Sequence, residues 1–250
     1  MFKTKTLMKT NSNAVIFGIA IIISSIFLGR AYVNRAKTNG YIQVTGLGEQ
    51  NFTSDLIVWE GDFMAEHYDL KQAYINLEKD KLVIKNYLIE KGVDENFLVF
   101  SAVSSRKKTK RKYSSNGDFI GEDFVGYELA QYVQIESVEV EKIEKISREI
   151  TELLNQGVNF YLEPPRYYYT KLADLKIEMI SKATEDARIR AEKIAEFSNG
   201  SLGDLRSAKM GVFQITGQNA NESYSWGGTF NTSSRDKTAS ITMKLVYSAD

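Results

Sequence analysis

Residues 14–28 read Ala-Val-Ile-Phe-Gly-Ile-Ala-Ile-Ile-Ile-Ser-Ser-Ile-Phe-Leu, without a single charge. A helix apolar on every side has no polar face to give to water, so it is either buried in a core or placed in a bilayer. Position favours the bilayer: the run stands close to the start, behind a short basic segment, 1–12, with Lys3, Lys5 and Lys9. A spanning helix needs about 20 mostly apolar residues. Residues 13–33 meet that length if Arg30 snorkels to the interface and Tyr32 sits there as an interfacial aromatic. The rival is a cleaved signal peptide, whose apolar region spans about 7–15 residues. Its cleavage site would be Gly29-Arg30-Ala31, a poor one. Length therefore favours an uncleaved anchor, with a cleaved and secreted form as the alternative. Three basic residues precede the run and three follow it, so loop charge does not orient it.

Composition then removes whole classes of chemistry. The 250 residues hold no Cys and one His. Disulfides, thiolate metal sites, iron–sulfur clusters and cysteine nucleophiles are excluded, and a His₃ zinc site cannot form within one chain. A serine triad would have to use His67. Lys plus Arg equals Asp plus Glu at 32 each, yet the six basic residues of 1–48 face no acid there. The rest is net acidic, which speaks against a general nucleic-acid binder.

After a linker at 34–40, the body occupies 41–250. Ile42 to Gly46 alternates as a strand and is expected to turn at Gly46-Leu47-Gly48. Asn51 to Met64 reads as a strand carrying Phe52, Ile57, Trp59 and Phe63. Leu70, Ala73, Leu77, Ile84 and Leu88 share one face of a helix over about 70–91, with Gly92 as its stop. Strands are expected at 97–103 and 125–138, with a long charged connection between them. A second helix carries Val140, Ile143, Ile146, Ile150 and Leu153 and stops near Gly157. A short strand follows at 158–162, then a long helix over 172–197. Its stripe is Leu172, Leu175, Met179, Ala183, Ala187, Ala191 and Ile194, whose Ala steps permit close approach of a neighbour. Strands at 209–216 and 239–247 close the chain. The fold class is α+β with antiparallel sheets and long amphipathic helices. Halves at about 41–138 and 139–250 read as two related β-α-β-β units.

No motif announces a reaction. Gly46-Leu47-Gly48 has no third Gly in register and leads into a strand, so the dinucleotide fingerprint fails. Gly200-Ser201-Leu202-Gly203 follows a helix and reads as its stop. His67 lies between Glu66 and Asp69 with no nucleophile suggested beside it, and reads as a turn histidine. Glu139, Glu141 and Glu144 suit a helix start, and Asp118, Glu122 and Asp123 match no calcium loop. No cofactor or metal site is expected. Two stretches are candidate contact surfaces. Residues 106–112 hold Arg106, Lys107, Lys108, Lys110, Arg111 and Lys112, six basic residues of seven, which suit an anionic partner or a solvated hairpin loop. Residues 217–234 are rich in Gly, Asn, Ser and Thr around Tyr224, Trp226 and Phe230, which suit a binding tip or a cover over the sheet.

Three segments together resemble the SIMPL domain family, formerly a domain of unknown function. Val44-Thr45-Gly46-Leu47-Gly48-Glu49 is similar to its opening V-T-G-x-G-E motif, and Gly126-Tyr127-Glu128-Leu129-Ala130 to its central strand. Ala187-Arg188-Ile189-Arg190-Ala191-Glu192-Lys193-Ile194-Ala195, with Gly200 and Leu202-Gly203, is similar to its helix and stop. The resemblance covers about 41–248. It implies two related α+β halves behind a signal or membrane segment, in bacterial envelope proteins linked to stress phenotypes and self-association. The family lends no catalytic residues. Pro164-Pro165, Tyr167-Tyr168-Tyr169 and the basic stretch depart from its pattern.

The expected function is accordingly that of a non-enzymatic, single-pass protein of the bacterial envelope, with its body in the periplasm. It would be held in the membrane by 13–33 and act as a homo-oligomer or on a partner not identified by sequence, with no nucleic acid involved. The alternatives are a hydrolase using dispersed carboxylates, and a module binding anionic membranes or ligands through 106–112.

Overall fold

The computed structural model describes residues 4–37, 40–223 and 225–249. Helix α1, Thr4–Lys37, contains the apolar run. Within it Asn13–Val33 is long and apolar enough to cross a membrane, and none of that window is buried by the other described residues. The remainder is α+β: strands β1 (Tyr41–Thr53) and β2 (Leu56–His67), helix α2 (Leu70–Glu90), strands β3 (Leu98–Phe100), β4 (Ser104–Tyr113) and β5 (Phe119–Ser137), and helix α3 (Val140–Glu149). Then come β6 (Phe160–Leu162), β7 (Arg166–Tyr168), helix α4 (Leu172–Phe197), β8 (Leu202–Met210), β9 (Gln214–Gly217) and β10 (Asp236–Ala249).

The chain divides into two compact units that are not consecutive in sequence. The first comprises 1–49, 177–213 and 240–250, the second 50–176 and 214–239.

In the first unit the strand order is β1-β10-β8, with β8 antiparallel to β10. Val44, Gly46 and Gly48 face inward on alternate positions of β1. Met179, Ala183, Ala187, Ala191 and Ala195 of α4 are all buried. They meet at backbone distance: a Cβ at Gly46 would lie 2.1 Å from the Ala183 carbonyl oxygen and 2.5 Å from the Ala187 nitrogen, and one at Gly48 would lie 2.3 Å from the Met179 carbonyl oxygen. The expected turn at Gly46-Leu47-Gly48 does not exist. The strand runs through to Thr53, and the two glycines serve close approach to a helix rather than reversal of the chain. The stripe on α4 ends on Ala195, while Ile194 is 47% exposed.

In the second unit a six-stranded antiparallel sheet has the order β3-β5-β2-β6, with β4 beside β5 and β7 beside β2. Helices α2 and α3 pack on it through Ala73, Leu77, Ile84, Leu88, Ile143 and Ile146, against Ile57, Trp59, Phe63, Leu129, Val133 and Ile135. Each large aliphatic or aromatic side chain so buried contributes about 1.5–3 kcal/mol relative to exposure. Asp69 caps α2 by accepting from the Gln72 N–H at 2.9 Å. Gly92 follows the end of α2 with φ of 87°, and Gly157, with φ of 80°, ends a 3₁₀ helix over Ile150–Gln156 that directly follows α3.

Several expected boundaries move. The strand read over 51–64 is the end of β1 and most of β2, interrupted at Ser54-Asp55. The strand expected at 97–103 is only Leu98–Phe100, and the one at 209–216 is parted between β8 and β9. The largest correction concerns the charged connection. It contains a full strand, β4, and an extension of β5 back to Phe119. A strand made of charged and polar residues up to Tyr113 shows no apolar alternation, so the pattern that reveals strands is absent there.

Candidate functional site

Two of the segments that carry the family resemblance meet in space. Besides the glycine–alanine contact, the Leu47 N–H donates to Asp186 Oδ2 at 2.8 Å. That bond, helped by Arg190 at 2.9 Å, holds the Asp186 carboxyl below the usual carboxylate range. Asp186 thus pins one turn of α4 to β1 beside the glycines. This set of residues packs a helix onto a sheet.

The six basic residues of 106–112 lie on β4, a strand paired to β5 rather than a loop. All ten residues of β4 are exposed. The pairing of β5 with β2 ends at His67 and Tyr127. Beyond that point β4 and β5 continue as a two-stranded ribbon closed by the turn at 114–118, where Ser114 and Asp118 share a backbone hydrogen bond. Two irregularities shape it. Gly126 opposes Lys108 and Phe124 opposes Thr109, leaving Val125 as an extra residue, and Ile120 is extra in the same way near Tyr113.

Register and alternation sort the ribbon into two faces. One carries Arg106, Lys108, Lys110 and Lys112 opposite Glu128, Gly126, Asp123 and Gly121. Much of its charge is matched: Arg106 meets Glu128 at 2.6 Å, Lys108 meets Glu66 at 2.5 Å, and Lys112 meets Asp123 at 2.6 Å. The hydrogen bond from Lys108 lowers the Glu66 pKa. The other face opposes Lys107 to Tyr127, Thr109 to Phe124, Arg111 to Glu122 and Tyr113 to Phe119. Its rings form edge-on contacts, Phe124 with Tyr127 and with Tyr68 at 5.2 Å each, and Tyr113 with Phe119 at 6.1 Å. Lys107 and Lys110 have no ion-pair partner among the described residues. Arg111 lies 3.7 Å from Glu122, at the long end for an ion pair.

The second candidate stretch, between β9 and β10, is organised by buried polar side chains. Gln214 donates to the Ser225 carbonyl at 2.8 Å and accepts from the Thr229 N–H at 2.8 Å. Asn231 donates to Glu222, and accepts from the Ser234 N–H at 2.8 Å. On this frame Trp226 is fully exposed and Phe230 is 53% exposed. The stretch does not cover the sheet at Trp226. Tyr224 lies outside the described residues. The sequence reading missed Gln214 and Asn231. Their signal was weak, since a polar side chain beside a loop becomes a frame only through long-range partners.

The remaining candidates have local tasks. His67 is exposed, and its Nδ1 takes the Asp69 N–H at 3.0 Å. Glu139, Glu141 and Glu144 at the start of α3 pair with Lys142, Arg235 and Arg148. They line or adjoin an open cleft of about 610 Å³ with Ser54 and Asp55. Asp55 there accepts from the Thr170 N–H and hydroxyl at 2.7 Å each. Asp118, Glu122 and Asp123 are spread along the ribbon. Among the described residues no three His, Asp or Glu side chains are grouped to hold a metal ion.

Comparison with known proteins agrees with the resemblance read from the motifs. No curated protein matches the chain. One family model does, described as SIMPL, protein of unknown function (DUF541), and it matches residues 42–246. With nearly the whole body matched, the chain belongs to the SIMPL family.

Proposed function

We propose that this is a single-pass membrane protein of the bacterial envelope whose body stands outside the cytoplasm and works by binding, to copies of itself or to a partner, rather than by catalysis. One observation carries the membrane part. Along α1 the side chains of Ile16, Phe17, Ile21, Phe27 and Leu28 are each more than 60% exposed. None of the described residues buries them, and a hydrocarbon solvent removes that cost. The external position of the body rests on the likeness to envelope members of the family. The binding role is supported by where exposed aromatic and basic side chains gather, on the ribbon and around Trp226, both held by hydrogen-bonded frames.

Alkaline carbonate extraction of membranes tests the anchor. The full-length chain is expected to stay in the pellet. A full-length chain in the supernatant defeats the anchor, and a shortened chain there favours a cleaved signal. An alkaline phosphatase fused after residue 250 is expected to be active, as it is only outside the cytoplasm. Light scattering of the body at micromolar concentrations is expected to give a mass above that of one chain. A single-chain mass throughout would leave one-to-one binding as the better reading. Turnover in an unbiased hydrolase screen, lost on replacing a specific carboxylate, would revive the enzymatic alternative.

A further inference from the structure

We propose that the aromatic face of the 104–126 ribbon is a seat for the surface of an anionic lipid bilayer. The inference rests on the anchored reading above, which keeps a bilayer beside the body and raises the effective concentration of its headgroups.

The ribbon is built at odds with life in water. A two-stranded hairpin is marginal by itself, and this one continues past the last β2 partner of β5. It nonetheless exposes Tyr113, Phe119, Ile120, Phe124 and Val125, at 56, 58, 61, 38 and 44%. On its aromatic face Tyr127, Phe124, Tyr113 and Phe119 alternate with Lys107 and Arg111. Aromatic rings with an apolar body suit the headgroup layer of a membrane, and long basic side chains reach past them to phosphate. Between 104 and 126 the chain holds six basic and three acidic residues, so the ribbon attracts an anionic surface as a whole. Among the described residues Lys107 has no ion pair to give up, and Arg111 only a distant one. A second ribbon is a poor occupant. Edge-to-edge pairing of two β4 strands would set like charges against each other.

The absence of Cys makes the test direct. Ile120→Cys, labelled with a polarity-sensitive fluorophore, is placed in the full-length chain and reconstituted into two kinds of vesicle. One is phosphatidylcholine alone, the other phosphatidylcholine with phosphatidylglycerol. In the anionic vesicles the label is expected to shift to the blue and to lose access to aqueous iodide by roughly fivefold, the effect of about one basic residue near a charged surface. Raising the salt should restore access, as should Lys107→Ser together with Arg111→Ser. The salt arm uses the ribbon's own charges and needs no further variant to fold. Lys193→Cys on α4 should respond to neither lipid nor salt. A label at 120 equally open to iodide in both vesicles overturns the proposal and directs the ribbon to an acidic protein. Flotation keeps the two readings apart. A chain that floats with phosphatidylcholine vesicles while its label ignores phosphatidylglycerol retains the anchor and loses the lipid seat. A chain that fails to float loses the anchor, on which the lipid seat rests.

Discussion

The two compact units solve one problem, a helix on a sheet, with opposite materials. In the first, α4 lays Ala183 and Ala187 against Gly46 and Gly48 at backbone distance. In the second, α2 and α3 meet the sheet through Leu77, Ile84, Leu88, Ile143, Trp59 and Phe63. Little apolar area is available between alanine and glycine, so the first contact depends on fit and on the Leu47–Asp186 hydrogen bond. The second draws on area removed from water. One is vulnerable to added volume and the other to lost volume.

The largest effect expected from that contrast is in the first unit. Gly46→Val would drive a side chain into the backbone of α4, where the Ala183 carbonyl leaves 2.1 Å. Backbone cannot swing aside as a flexible side chain can, and the cost should reach or exceed about 3 kcal/mol. Ala187→Glu should be comparable, since a carboxylate there is buried without a partner. Circular dichroism melts, with hydrogen exchange along α4, report both. A Gly46→Val protein that melts like the parent would show that helix and strand are not in contact.

Leu88→Ala probes the second unit from the other side. Leu88 is fully buried, and its truncation should cost about 2–5 kcal/mol by urea denaturation, set by how far the cavity collapses. Exchange protection should fall in α2 while α4 is spared. Equal loss in both would mean that the units unfold as one.

Lys237 gives a smaller, pH-dependent effect. It is 2% exposed and its ammonium donates to the Tyr167 carbonyl. Burial pushes its pKa down to about 8. The unfolded chain then holds the proton more tightly, so stability should rise with pH between about 8 and the ordinary lysine value near 10.4. A shift of that size amounts to roughly 3 kcal/mol at most. Urea midpoints at pH 7.5 and 9.5 should differ in the parent, and Lys237→Met should flatten that difference. A flat parent profile would place the ammonium in water.

The smallest effect is expected at Lys193, an exposed residue of α4 that pairs with Glu196 at 2.8 Å. Lys193→Glu should leave the melting temperature nearly unchanged, against a large drop for Ala191→Glu two residues earlier. Equal drops would mean that the helix face is wrongly assigned.

Where a segment's own periodicity matched its burial, sequence was enough. Helix α4 begins at Leu172 and ends at Phe197, as its stripe up to Ala191 and the stop at Gly200 imply, and α2 begins at Leu70 and stops before Gly92. The apolar run declared itself through hydropathy, and the motifs around Gly46, Gly126 and Ala187 declared the family. These signals are local, because each helix shows its buried face every three or four residues whatever it packs against. Tertiary structure alone decided the rest. Glycines at 46 and 48 look the same in a turn and beneath a helix, and only the presence of α4 above them selects the second. β4 has no apolar face to betray it, and became a strand because β5 supplies its hydrogen bonds and Glu128, Glu66 and Asp123 match its charge. The setting of Trp226 likewise depends on Gln214 and Asn231, whose partners lie up to fifteen residues away. Contacts between segments distant in the chain leave no period in either one, so they are settled only when the chain folds.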